Sequence, residues 1–185
     1  VKALPPEALL GKRGKPVKTP PNSVMLGNLP AVAQQGTTAE PGYPGTCEAQ
    51  SYGYGLGTYT LARNSSGDQK WKANLPQNSV SAAYLYALIQ KRAGKKCPEG
   101  SRSLDYLEQL ASGGAPSALQ ISYQSNCPYL DAVDTNKLPN MQRFRIGSYA
   151  VIPVSGNAGA VTAIKSQLDA GNAVAFTGQV LCNYA

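Results

Sequence analysis

Apolar positions along the chain fall into a few periodic stretches, separated by runs rich in Gly and Pro. From Cys47 the sequence reads C-E-A-Q-S-Y-G-Y-G-L-G-T-Y-T-L-A-R. Ala49, Tyr52/Gly53, Leu56/Gly57 and Thr60/Leu61 recur there at three and four, which is helical spacing. Glycines at 53, 55 and 57 each cost a helix up to about 1 kcal/mol relative to Ala. A helix at this place needs tight packing on its glycine face, and a glycine-rich strand is the competing reading.

The next stretch predicts a helix capped by Ser79 or Ser81, with Tyr84, Leu85, Leu88 and Ile89 on its apolar face. Lys91 and Arg92 fall at its carboxyl end, where the helix dipole favours cations, and Gly94 stops it. Ser103 opens another helix, with Asp105 in its first turn and Leu104, Leu107 and Leu110/Ala111 as the buried face. Gly113-Gly114 and Pro116 end it. Phe144, Ile146, Ser148, Ala150 and Ile152 alternate along Arg143 to Ile152, the pattern of a half-buried strand. Ala160, Val161, Ile164 and Leu168 predict a third amphipathic helix ending at Gly171, and A-V-A-F-T-G-Q-V-L at 173–181 reads as a buried strand. Helices first, then strand, helix and strand, make an α+β pattern without βαβ repeats.

Between these elements lie loops. Residues 1–30 hold Pro5, Pro6, Pro16, Pro20, Pro21 and Pro30 and read as an extended arm, and residues 37–46 as a Pro/Gly loop. The 185 residues carry 17 basic and 10 acidic side chains, net +7. Lys2, Lys12, Arg13, Lys15 and Lys18 against Glu7 place +4 of that charge in the first 18 residues. A solvated extension accounts for this arm, and docking in a larger assembly through residues 1–30 is the alternative. The body has no Lys/Arg stripe interleaved with aromatics, which argues against nucleic acid as the main partner. No apolar run approaches the ~18 residues of a membrane span. Only 15% of residues are charged, against roughly 25% in an ordinary soluble domain, which fits a secreted or extracellular protein (cell surface or periplasm included). The chain begins at Val1 and reads as a processed product or a fragment.

There is no histidine. Imidazole catalysis and His-ligated metal therefore cannot be completed by this chain alone. The cysteines, Cys47, Cys97, Cys127 and Cys182, include no C-x-x-C pair, which disfavours zinc and iron–sulfur sites. Disulfides, a reactive thiol and buried inert thiols remain. Cys47 follows a Pro/Gly loop and opens a helical stretch, where free backbone N–H groups and the dipole favour thiolate. Acyl transfer also needs a donor for the developing oxyanion, and Gln35 lies just upstream.

The segment A-V-A-Q-Q-G at 31–36, then G-T-C at 45–47 and a small-residue helix, resembles the amino-terminal half of papain-like cysteine peptidases, in a divergent, bacterial-type form. The resemblance continues through L-P-Q-N-S-V-S-A-A-Y-L-Y-A-L-I-Q-K-R at 75–92 and S-R-S-L-D-Y-L-E-Q-L-A-S-G-G-A-P at 101–116. It extends to R-I-G-S-Y-A-V-I-P at 145–153 and A-V-T-A-I-K-S-Q-L-D-A-G-N-A-V-A-F at 160–176, and covers roughly residues 30–181. It implies an α+β fold with an arm at 1–30 and a helical left domain at 31–140 built on the Cys-bearing helix. The start of a right-hand β-barrel domain would occupy 141–185. It implies Cys47 as nucleophile and Gln35 as oxyanion-hole donor, with Gln34 as the competing donor and the Cys47 N–H as the second. Gly100 and Ser101 would line the substrate cleft. No cofactor and no metal is implied. The substrate is a peptide or protein, and the partner is a complementary chain or segment carrying the catalytic His and Asn. A non-catalytic scaffold of the same fold is the alternative.

Three departures bear on this. The loop between Gln35 and Cys47 is longer than the family's, Glu48-Ala49-Gln50 replaces the usual aromatic pair, and the histidine is missing. A carboxylate beside a thiol raises its pKa unless it points to solvent or to a cation. Cys97 and Cys127 lie in K-K-C-P-E-G and S-N-C-P-Y-L, each followed by Pro, and are paired here as the expected disulfide among the three full connectivities open to four cysteines. Cys182 is then left over, free or bonded to the missing half.

Overall fold

The computed structural model of the protein describes residues 27–31, 45–65, 71–136, 143–153 and 158–176. Gln34, Gln35 and Cys182, the arm up to residue 26 and the end of the expected last strand lie outside the described residues.

The Cys47 stretch is helical, so the strand reading fails. A π-helical segment, Ala49–Gly57, runs straight into α1, Thr58–Asn64. The glycines explain why a helix survives there. A Cβ on Gly53 would stand 2.6 Å from Leu85 Cδ1, and one on Gly57 would stand 2.9 Å from Leu110 Cδ1. Both leucines are fully buried, so the missing side chains let two flanking helices close onto the segment. Those helices are α2, Ala82–Ala93, and α3, Ser103–Ser112.

In α2 the cap is Ser81. Its Oγ accepts from the Tyr84 N–H at 3.1 Å, and Gly94 at φ 66° closes the other end. Ser79 is not a cap; its hydroxyl donates to the carbonyls of Ala73 and Leu75. Ser103 is the first residue of α3, with Arg102 at the cap position and an Arg102–Asp105 ion pair of 3.2 Å across the first turn. Tyr106, Leu107, Gln109 and Leu110 form the buried face of α3, while Leu104 and Ala111 are half-buried. A short helix not expected from periodicity, α4 (Cys127–Ala132), is started by the Asn126 side chain, which accepts from the Tyr129 N–H at 2.8 Å, and by Pro128 in its first turn.

The molecule is helix-rich among the described residues, and the β portion of the expected α+β fold is not formed there. The expected strand from Arg143 to Ile152 reduces to one bridge. Phe144 exchanges both backbone bonds with Ala115, at 2.8 and 3.0 Å. Onward from Phe144 the antiparallel partner runs back through Gly114, at φ 68°, and Gly113 into the end of α3, so there is no extended segment for a ladder to continue along. The Ile146 N–H turns instead to the Leu110 carbonyl near the end of α3, at 3.2 Å. Phe144 and Ile146 are buried while Ser148 and Ala150 are exposed, so the alternation serves only the first two positions. Residues 173–176, the described part of the expected last strand, make no ladder either. Between these stretches lies α5, Ala158–Asp169. It buries Ala160 and Ala163 and leaves Val161 57% exposed, a face rotated from the expected one. Its carboxyl end is held from α1. Arg63 Nη2 donates to the Ala170 carbonyl at 2.7 Å and Tyr59 Oη to the Gly171 carbonyl at 2.8 Å.

Candidate functional site

Cys47 is exposed and free. Its neighbours are not: Thr46 and Ala49 are both fully buried. The Gln50 N–H donates to the Thr46 carbonyl at 2.9 Å, which makes Thr46 the cap and places Cys47 in the first helical turn. Backbone N–H groups of a first turn have no acceptor within the helix. The thiol thus stands in a first turn flanked by buried Thr46 and Ala49, where the backbone N–H groups lie outside the helix ladder. Thr46 Oγ1 is 2.7 Å from Tyr123 Oη, which pins the cap to the segment ahead of α4.

The stretch Pro98–Ser101 forms a wall against the residues that lead into Cys47. The Gly45 N–H donates to the Pro98 carbonyl at 3.1 Å. The approach is so close that a Cβ on Gly45 would meet the Pro98 oxygen at 2.5 Å and the Glu99 oxygen at 2.9 Å. Tyr86 Oη donates to the Glu99 carbonyl at 2.8 Å, and Gln90 Nε2 donates to the same oxygen. Ser101 Oγ is hydrogen-bonded to Tyr106 Oη. The stretch is anchored at its start by the Cys97–Cys127 disulfide, as paired from the sequence, and by the Cys97 N–H donating to Asp131 Oδ1 at 3.1 Å. Gly100 and Ser101 therefore belong to the strip packed against the residues that lead into Cys47.

Glu48, next to the thiol, is half-buried, and its Oε2 is enclosed without a hydrogen-bond partner among the described residues. Beneath lies Tyr106, fully buried. Burial pushes its phenol far above the ordinary range, the bond to Ser101 works against this, and the charges of Tyr86, Glu48 and Cys47 add to it. The Tyr106 hydroxyl is thereby kept neutral and able to donate at any physiological pH. Sequence reasoning missed Thr46, Tyr86, Gln90, Tyr106 and Tyr123. For the three tyrosines the advance signal is the tyrosine count, 11 of 185, against two phenylalanines; Thr46 and Gln90 had none. A core rich in phenols has to find partners for its hydroxyls.

Among the described residues no group of three or more Cys, Asp and Glu side chains is placed to hold a metal ion, and no helix is long and apolar enough to cross a membrane. A scan against protein-family models and searches of the curated proteins and of the solved structures find no match to this chain.

Proposed function

We propose that this chain is the nucleophile-bearing part of a papain-like thiol peptidase working in an oxidising, extracellular setting. The observation that carries the reading is the exposed, free Cys47 in the first turn of a helix whose other face is buried, two residues after Gly45, which is tied to a stretch held by Tyr86, Gln90 and a disulfide. The Cys47 thiolate attacks a peptide carbonyl, the C–N bond breaks as the amine leaves with a proton, and the acyl group stays on sulfur as a thioester until water releases it. The Cys47 N–H and the Gln35 amide hold the oxyanion. No residue of this chain supplies imidazole, so the base comes from a complementary chain or segment. The disulfide supports the extracellular setting. The test is hydrolysis of a peptide mixture by the assembled protein: Cys47→Ala abolishes it, and turnover unchanged by that substitution contradicts the reading.

A second reading has its own observation. The enclosed, unpartnered Glu48 oxygen beside the thiol suits a non-catalytic scaffold of the same fold, in which Cys47 is not used. Glu48→Gln separates the two: a scaffold gains no peptide turnover from it in any assembled state.

A further inference from the structure

Resting on the thiol-peptidase reading, we infer that Tyr106 is a positioning residue: acting through Ser101, it fixes Pro98–Ser101 as the wall along which a peptide lies to meet Cys47. The polar atoms of that stretch are divided between its two sides. The Pro98 carbonyl accepts from Gly45, the Glu99 carbonyl accepts from both Tyr86 and Gln90, and the Ser101 hydroxyl is bonded to Tyr106. All of these face the core. The opposite side is open at Gly100, where a Cβ would meet no heavy atom within 4 Å, and among the described residues the Gly100 carbonyl takes a long 3.4 Å contact from the exposed Lys95 Nζ. An extended chain bound at that open side finds backbone, not side chains, to pair with.

Of the inward ties, Ser101–Tyr106 is the last before the chain turns into α3, and both its ends are informative. Tyr106 is fully buried on α3 and near enough to Glu48 and Cys47 to respond to their charges. One phenol therefore touches the wall at its oxygen and sits on α3, the helix that closes onto the segment Cys47 opens. Arg102, next in sequence, is exposed and makes its ion pair within α3, so it does not hold the wall. Removing the Tyr106 hydroxyl leaves the ring in the core but releases Ser101.

The test is affinity labelling of Cys47 in the native protein by a peptidyl chloromethyl ketone, with iodoacetamide as the reagent that needs no wall. In wild type the peptidyl reagent saturates. In Tyr106→Phe its KI rises about tenfold, the effect of losing one hydrogen bond's worth of alignment, while kinact and the iodoacetamide rate stay within about twofold. Ser101→Ala does the same, and the double variant adds little more. A KI within about twofold of wild type in both variants overturns the role of Tyr106. So does a KI that moves in step with the iodoacetamide rate, which reports general loosening. Absence of saturation in wild type overturns the peptidase reading itself and this inference with it.

Discussion

The backbone N–H of Gly45 donates to the carbonyl of Pro98 across 3.1 Å, joining the segment that leads into Cys47 to the one that follows Cys97. This contact is possible because residue 45 has no side chain. A Cβ would stand 2.5 Å from one carbonyl oxygen and 2.9 Å from the next, and neither is a flexible side-chain end. Gly45→Ala is therefore expected to force the two segments apart and to cost about 1–3 kcal/mol, read as a lowered urea midpoint at unchanged m-value. An unchanged midpoint contradicts the seating of the wall against Gly45.

The Cys97–Cys127 bond closes a loop of 30 residues. Chain entropy assigns such a cross-link about 3–4 kcal/mol. Cys97→Ser with Cys127→Ser is expected to lower stability by that order, and reductant should act on wild type but not on the double variant. Equal denaturation curves for wild type with and without reductant contradict this. Digestion without reduction should yield one peptide pair linked through these two residues.

Burial raises the folded-state pKa of Tyr106 above the unfolded value of about 10. The folded chain then holds this proton more tightly than the unfolded chain does. Its contribution is fully present below pH ~10 and is lost as pH rises from there toward the folded value. Stability should fall above pH ~10 with a slope of up to about 1.4 kcal/mol per pH unit from this one group, and Tyr106→Phe should flatten the slope. An equal slope in the variant contradicts the burial of the phenol.

The sequence showed helices better than strands, and the reason lies in particular residues. Ser81, Gly94 and Asp105 act locally, through caps and the dipole, so their elements could be read within a dozen positions. The glycines at 53 and 57 argued against a helix locally and are overruled by Leu85 and Leu110. Phe144 and Ile146 alternate like a strand, yet a ladder depends on the partner, and past Ala115 the partner runs back through Gly114 and Gly113 into α3. In the site, Cys47 stood out because its chemistry is carried by one residue type. Its supports did not, because Thr46–Tyr123 spans 77 positions, and a hydroxyl contact between residues so far apart leaves no pattern along the chain. The pairing of Cys97 with Cys127 was reached from their Pro-flanked loops, and Pro128 turned out to start a helix.

A thiol placed for attack on peptides is open to a peptidyl reagent. The native protein is incubated with a thiol-directed peptidyl epoxide and the adduct is mapped in an unreduced digest. One adduct per chain is expected, on Cys47, with Cys97 and Cys127 still joined. No adduct on Cys47, or label shared among Cys97, Cys127 and Cys182, would contradict it.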